Sequence, residues 1–273
     1  MDAPILKYPG AKWRMAEWII ERMPPHVGYV EPYFGSGAVF FNKKPSEIET
    51  INDIDGHVIR FFRTCRDKPD ELARAIALTP WSREEFLQSD FCDGSTDDVE
   101  AARQFAVRCW QTFGARTKCK TGWRRTTAKS INHGPDNPKM WLRLPEIVFE
   151  VGERLMDAQI DNRPALDVIR ENDGEEVLIY ADPPYVSATR SMHGDQYTYE
   201  MSDRDHEQML NVLKAHSGMV MLSGYDCELY RDMLTGWSIE SVKTKAERGA
   251  IRTDYLWMNR AAQERSAQTR MMI

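Results

Sequence analysis

The residues of this chain best suited to chemistry are Asp182-Pro183-Pro184-Tyr185. They offer a carboxylate, carbonyls that two prolines hold rigid, and an aromatic face. Such a set suits a flat molecule bearing an exocyclic amine. Taken alone, the tetrapeptide also reads as a loop with an Asp cap and a packed Tyr. A second candidate is the turn Phe34-Gly35-Ser36-Gly37, whose glycines let the backbone approach a ligand closely. Its spacing is not G-x-G-x-x-G, so no dinucleotide is indicated, and the chain has no P-loop. Asp53, in Asn52-Asp53-Ile54-Asp55, falls where α/β folds grip a ribose. Either Asp53 or Asp55 also fits a helix N-cap. Lys7-Tyr8-Pro9-Gly10-Ala11-Lys12 places a glycine between two lysines ahead of a helical pattern from Trp13 to about Met23.

The elements that must position these groups follow from hydrophobic patterning. Val177-Leu178-Ile179-Tyr180 is a short apolar run typical of a buried strand, and the two prolines after it end the strand. Asp182 and Tyr185 therefore stand at a strand's carboxyl end, the edge at which open α/β sheets bind ligands. Strands are also expected at 28–33, 48–51, 159–162, 219–222, 237–243 and 254–259. Helices are expected at 56–66, 165–170 and 203–216, with an apolar helix starting at Ala38-Val39-Phe40-Phe41. From residue 67 to 157 the pattern turns helical, near 69–78, 82–90, 97–112 and 138–156. Val186 to Ser202 is a long polar loop carrying Arg190, Tyr197 and Tyr199, and such loops are often functional. Ser223-Gly224-Tyr225-Asp226 ends a later strand and receives no catalytic role. The tail 261–273 is polar and expected to fray.

Composition narrows the class. The 273 residues carry a net charge of −6, yet residues 103–143 hold ten bases and one acid, a local +9. Such a split within one chain is a nucleic-acid cue. Around a hairpin at Lys120-Thr121-Gly122-Trp123, basic, hydroxyl and aromatic residues interleave. Arg116, Lys118, Lys120, Trp123, Arg124, Arg125 and Lys129 are the candidates to grip phosphates and reach base edges. Five cysteines with no C-x-x-C pair argue against both a disulfide framework and a zinc site, so no metal is expected. No apolar run approaches the ~20 residues of a membrane span, and no signal peptide is evident, which points to the cytoplasm.

Taken in order, Lys7-Tyr8-Pro9-Gly10-Ala11-Lys12, the Phe-x-Gly-x-Gly turn, the basic helical insertion and Asp-Pro-Pro-Tyr resemble the Dam-type (D12 class) DNA adenine-N6 methyltransferases. The likeness runs over roughly residues 5–260. It implies a Rossmann-like α/β sheet with an inserted, mainly helical target-recognition domain. The catalytic domain would comprise 1–66 and 158–260, and the insertion 67–157. It also implies S-adenosylmethionine as methyl donor and double-stranded DNA as partner, with GATC as the sequence the family suggests. The setting would be solitary, phage-borne or restriction-modification. Tyr8, Lys12, Asp53 and Asp182 would contact the donor, and Phe34, Gly35, Ser36 and Gly37 would line its methionine end. Relatives often read Gly-Asp-Phe where this chain has Asp161-Asn162-Arg163, which leaves donor-adenine recognition to Asn162.

The implied reaction moves a methyl from a sulfonium to the N6 amine of adenine. Asp182 and the Pro183 carbonyl would accept the two amine hydrogens, and alignment with the methyl would do the rest. A base in duplex DNA must be flipped out of its stack, with Tyr185 as the platform. Two rivals remain: an amino-methyltransferase acting on cytosine N4 or a glutamine amide, and a DNA-binding protein that has lost the donor.

Overall fold

A computed structural model of the chain describes residues 1, 3–89, 97–113, 121–127, 136–186, 198–245 and 251–271. Five parallel strands come first: β1 (Gly28–Glu31), β2 (Ile48–Asn52), β3 (Ala158–Asp161), β4 (Val177–Ala181) and β5 (Met219–Gly224). β6 (Ser238–Lys245) and β7 (Ile251–Met258) close the sheet as an antiparallel pair. The order is β3-β2-β1-β4-β5-β7-β6, with β7 antiparallel to β5. The described helices are α1 (Ala16–Ile20), α2 (Gly56–Asp67), α3 (Pro69–Ala77), α4 (Arg83–Gln88), α5 (Asp98–Gln111), α6 (Asn137–Trp141), α7 (Leu144–Leu155), α8 (Ala165–Glu171), α9 (Asp203–Ala215), α10 (Glu228–Met233) and α11 (Arg260–Met271). This is the expected α/β class, a doubly wound sheet with a separate helical unit.

The chain divides into two compact units. The first holds the described residues of Met1–Ala11 and Asp55–Asp157; the second holds the sheet, α1 and α8 to α11. The expected boundary at 66/67 differs from this division, because α2 belongs with the helical unit. Its apolar face, Val58, Ile59, Phe61 and Phe62, is buried, and Phe61 meets Phe105 of α5 at 5.9 Å between ring centroids. Gly152 of α7 lies so close to α2 that a Cβ there would stand 2.4 Å from the Cys65 carbonyl oxygen. The N-terminal segment joins the same unit: Ile5 and Leu6 are buried, and the Trp110 indole donates to the Ile5 carbonyl at 2.8 Å. Trp110, Trp141 and Trp81 then pack edge to face through that core.

In the sheet unit, one apolar layer gathers Val30 of β1, Ile179 and Ala181 of β4, and Val220 and Leu222 of β5 against α8, α9 and α10. Strand alternation sends Tyr29, Glu31 and Tyr180 to the opposite face. α9 starts from a capping box in which Ser202 and Asp205 bond reciprocally.

Three expectations give way. Ala38 to Phe41 is not a helix start but part of a run of successive turns, in which the Phe41 N–H meets the Gly37 carbonyl at 2.9 Å and the Lys43 N–H the Val39 carbonyl at 3.0 Å. Pro145 enters the first turn of α7, so the helix expected over 138–156 becomes two, α6 and α7. The tail does not fray at residue 261 but continues as α11. The Asn259 side chain accepts from the Val220 and Ala262 N–H groups at 3.1 and 2.9 Å, Ala262 is fully buried, and Arg265 pairs with Glu176. Tertiary partners hold a helix whose own sequence offers no apolar stripe.

Candidate active site

β1 and β4 are neighbours, and the connections leaving them run to opposite sides of the sheet. The crevice beyond their carboxyl ends is the switch point at which such sheets bind ligands. The Phe34–Gly37 turn follows β1, and Asp182–Tyr185 follows β4.

Asp182 is gripped by Lys12, whose Nζ lies 2.6 Å from Oδ1 and 2.8 Å from Oδ2. The Lys12 side chain is only 3% exposed and that of Asp182 17%. Pairing with a carboxylate offsets the cost of taking this ammonium out of water. The same ammonium lies over the Tyr185 ring, 4.7 Å from its centroid. Tyr225, just past β5, stands edge to face against Tyr185, with centroids 4.6 Å apart and planes at 68°. Pro183 is buried and Pro184 half-buried. Lys12, Asp182 and Tyr185 thus form one cluster, although Lys12 and Asp182 are 170 positions apart in the chain.

The glycine turn is tied down from two sides. Its Gly35 N–H donates to Asp53 Oδ2 at 2.8 Å, and the Phe34 N–H to the Asn52 carbonyl at 2.9 Å. Gly37 has φ +64°, and a Cβ there would fall 2.5 Å from the rings of Phe34 and Phe41, so only glycine fits. The Phe34 ring is 2% exposed and packs edgewise on Phe40 and Phe41, while Ser36 is buried. The two acids that competed for one role part company. Asp55 caps α2 by accepting the His57 N–H at 3.0 Å, and Asp53 braces the turn. Asn162 donates its amide to the Asp53 carbonyl at 2.7 Å, which holds the ends of β2 and β3 together. Tyr8 is buried and belongs to the first unit, while the other donor-site candidates belong to the second.

Two residues that sequence patterning passed over complete the floor of the site. Asn52 is fully buried and laces three segments: its amide donates to the carbonyls of Pro32 and Arg163, and its oxygen accepts the Arg163 N–H. Glu31, 3% exposed, accepts from the Tyr29 hydroxyl at 2.7 Å. Burial pushes its carboxyl up to about 8; the Tyr29 bond opposes this, and the Asp182 charge adds to it. Glu31 directly precedes Pro32 in a glycine-turn motif, but burial is what sets it apart, and patterning does not show that. Beneath it, Lys43 pairs with Glu49, both nearly inaccessible, and stacks on Tyr29 at 4.3 Å. On the same sheet face, Tyr180 and Ser223 share a hydroxyl–hydroxyl bond at 2.9 Å.

Of the basic candidates, Arg116, Lys118, Lys120 and Lys129 lie outside the described residues, as do Arg190, Tyr197, Cys92 and Cys119. Trp123, Arg124 and Arg125 are described. The hairpin expected to turn at 120–123 does not turn there, because Gly122 and Trp123 already lie in an arm paired antiparallel with 111–113: Thr112 bridges Trp123, the Phe113 N–H reaches the Gly122 carbonyl at 2.8 Å, and the Arg124 N–H reaches the Gln111 carbonyl at 2.6 Å. Trp123 anchors this arm, its indole donating to Gln111 Oε1 at 3.0 Å and its ring lying under Arg83. The Arg124 guanidinium donates twice to the Thr112 carbonyl, at 3.2 and 3.1 Å, while Arg125 is exposed. Part of the basic excess is also used internally: Arg103 pairs with Glu85 and Glu100, and buried Arg108 donates to the Ser89 carbonyl. Among the described residues there is no metal-binding cluster, and no helix is long and apolar enough to cross a membrane.

The sequence is similar to several characterised proteins. It is 26% identical to the type II methyltransferase M1.LlaDCHI of Lactococcus lactis subsp. cremoris, over 90% of this chain and 89% of that protein. It is 24% identical to the type II methyltransferase M.MjaIII of Methanocaldococcus jannaschii, covering 89% of this chain and 91% of the other. A DNA adenine methylase of Vibrio cholerae shares 23% identity over 87% of both chains. The sequence model of one family matches residues 8–248, from Tyr8 through the glycine turn and Asp-Pro-Pro-Tyr to the closing strands, and the chain belongs to that family, the D12 class N6 adenine-specific DNA methyltransferases.

Proposed function

We propose that the protein transfers a methyl group from S-adenosylmethionine to N6 of an adenine flipped out of double-stranded DNA, with GATC as the first sequence to test. The observation that carries this reading is the Lys12–Asp182–Tyr185 cluster at the carboxyl end of β4, beside the braced glycine turn. The residues present suit the donor chemically. Lys12 would hold its carboxylate and Asp53 its ribose hydroxyls, and Gly35 and Gly37, at φ +52° and +64°, set the path of the turn that would line it. When bound, S-adenosylmethionine supplies an electrophilic methyl on a sulfonium.

The remaining chemistry belongs to the chain. An adenine amine is a poor nucleophile because its lone pair is delocalised into the ring. Asp182 and the Pro183 carbonyl accept its two hydrogens, draw the nitrogen toward tetrahedral geometry and stabilise the positive charge that develops on it. Lys12 yields one of the Asp182 oxygens as the amine arrives. Tyr185 stacks on the flipped base and holds it in line. Arg125 and the basic residues of 114–129 grip phosphates, while Trp123 and Arg124 are held by Gln111 and the Thr112 carbonyl. Residues 67–157 then serve as the target-recognition region.

Asp182→Asn tests the reading. It keeps the shape and an acceptor for Lys12 but removes the charge, and it should slow methyl transfer by at least about 10²–10³-fold. Incorporation of tritiated methyl into unmethylated DNA measures this. Turnover near that of the unaltered enzyme would overturn the assignment.

A further inference from the structure

We propose that Tyr225 is a positioning residue for the methyl transfer, its ring fixing the plane of Tyr185 on which the target adenine stacks. The proposal rests on the reading of Tyr185 as the base platform and adds a residue for which sequence patterning offers no role. Three observations lead to it. The first is the ring contact itself, edge to face at 4.6 Å and 68°. A tyrosine ring on a loop turns about χ2 unless something blocks it. Lys12 lies over the Tyr185 face, and Tyr225 is the perpendicular wall that stops rotation.

The second is direction. Residues of β4 and β5 pair in the register Tyr180↔Met221 and Ala181↔Leu222. Tyr180 and Ser223 bond through their hydroxyls on the face opposite the apolar layer, and alternation carries Tyr225 to that face too. The third is how firmly the carrier is held. Gly224 passes so near Tyr230 that a Cβ would stand 2.9 Å from its ring, and Asp226 is paired with Arg231 of α10 through Nε at 2.6 Å. The residues on either side of Tyr225 are thus anchored to α10, while its own ring is half-buried, like that of Tyr185. A ring needed only for core packing would lie in the apolar layer with Tyr230 and Trp257.

The test compares Tyr225→Leu, Tyr225→Phe and Tyr185→Ala in the full-length enzyme. Methylated adenines are mapped by sequencing DNA from cells that express it, and a duplex is built with 2-aminopurine at the mapped position. Tyr225→Leu should lower both the single-turnover methyl-transfer rate and the 2-aminopurine fluorescence gain by about two- to tenfold, the scale of one aromatic pair. Donor affinity by calorimetry should stay within about twofold. Tyr225→Phe keeps the ring and should restore rate and fluorescence. A Tyr225→Leu enzyme with unchanged rate and fluorescence overturns the proposal, as does a loss that phenylalanine fails to restore. If Tyr185→Ala alone loses the signal, this inference falls and the platform stands. If Tyr185→Ala also keeps it, the platform reading falls as well.

Discussion

Replacing Glu31 by glutamine should remove a pH dependence from the stability of the sheet unit. The carboxyl is buried at the end of β1, accepts the Tyr29 hydroxyl and lies near the Asp182 charge, so it holds its proton up to about pH 8 against an ordinary value of 4.5. Below pH 4.5 the folded and unfolded chains both carry the proton, and Glu31 contributes no slope. Between 4.5 and 8 the unfolded chain has released it and the folded chain has not, so stability falls as pH rises. Above 8 both are ionised and the cost is complete. At about 1.4 kcal/mol per pH unit the full difference is about 5 kcal/mol, and local relaxation brings it to about 3–5 kcal/mol. Glu31→Gln has the same shape, still accepts from Tyr29, and does not titrate. Thermal unfolding of both proteins from pH 4.5 to 9 gives the comparison, in which contributions common to both cancel. The variant's melting temperature should gain steadily on the unaltered protein, reaching roughly 10 °C at the alkaline end. Parallel curves across the range would refute the reasoning.

Gly37→Ala forces a left-handed backbone on a residue with a side chain and drives its Cβ into two phenylalanine rings. It should cost about 1–3 kcal/mol and lower S-adenosylmethionine affinity, both read in one thermal-shift titration. Lys43→Met strands a buried Glu49 and should cost about 3–5 kcal/mol, whereas Lys43→Met with Glu49→Leu should recover most of it in denaturant unfolding. At the hairpin, Arg125→Ala should weaken DNA binding and reduce the slope of log K against log salt by about 1, while Arg124→Ala should lower the stability of the helical unit. Equal salt slopes for the two variants would remove the distinction.

Much of the fold was legible because its signals are local. Apolar runs at 177–181 and 219–224, prolines after β4 and glycines after β1 mark strand ends whatever surrounds them. The carboxyl-edge position of Asp182 follows from those breaks alone. Legibility fails where a distant partner decides. Asp53 and Asp55 are alike as text, and only the Gly35 N–H on one and the His57 N–H on the other tell them apart. Trp123 and Arg124 look like nucleic-acid contacts by type, yet Gln111 and the Thr112 carbonyl engage them. The polar 260–271 segment offers no amphipathic face, and Asn259 and Glu176 hold it as a helix.

By itself, the sequence determined the family, the α/β class and the order of the motifs, because spacing along one chain carries all three. The tertiary structure decided which strand of the closing pair enters the sheet. β7, with Leu256, Trp257 and Met258 buried, lies between β5 and β6, while β6, with Ile239 exposed, forms the edge. It also decided that Lys12 meets Asp182, that Glu31 is sealed beside them and that Tyr225 braces Tyr185. Each of these depends on strands remote in sequence lying side by side. Burial and ring geometry exist only after that sheet has formed.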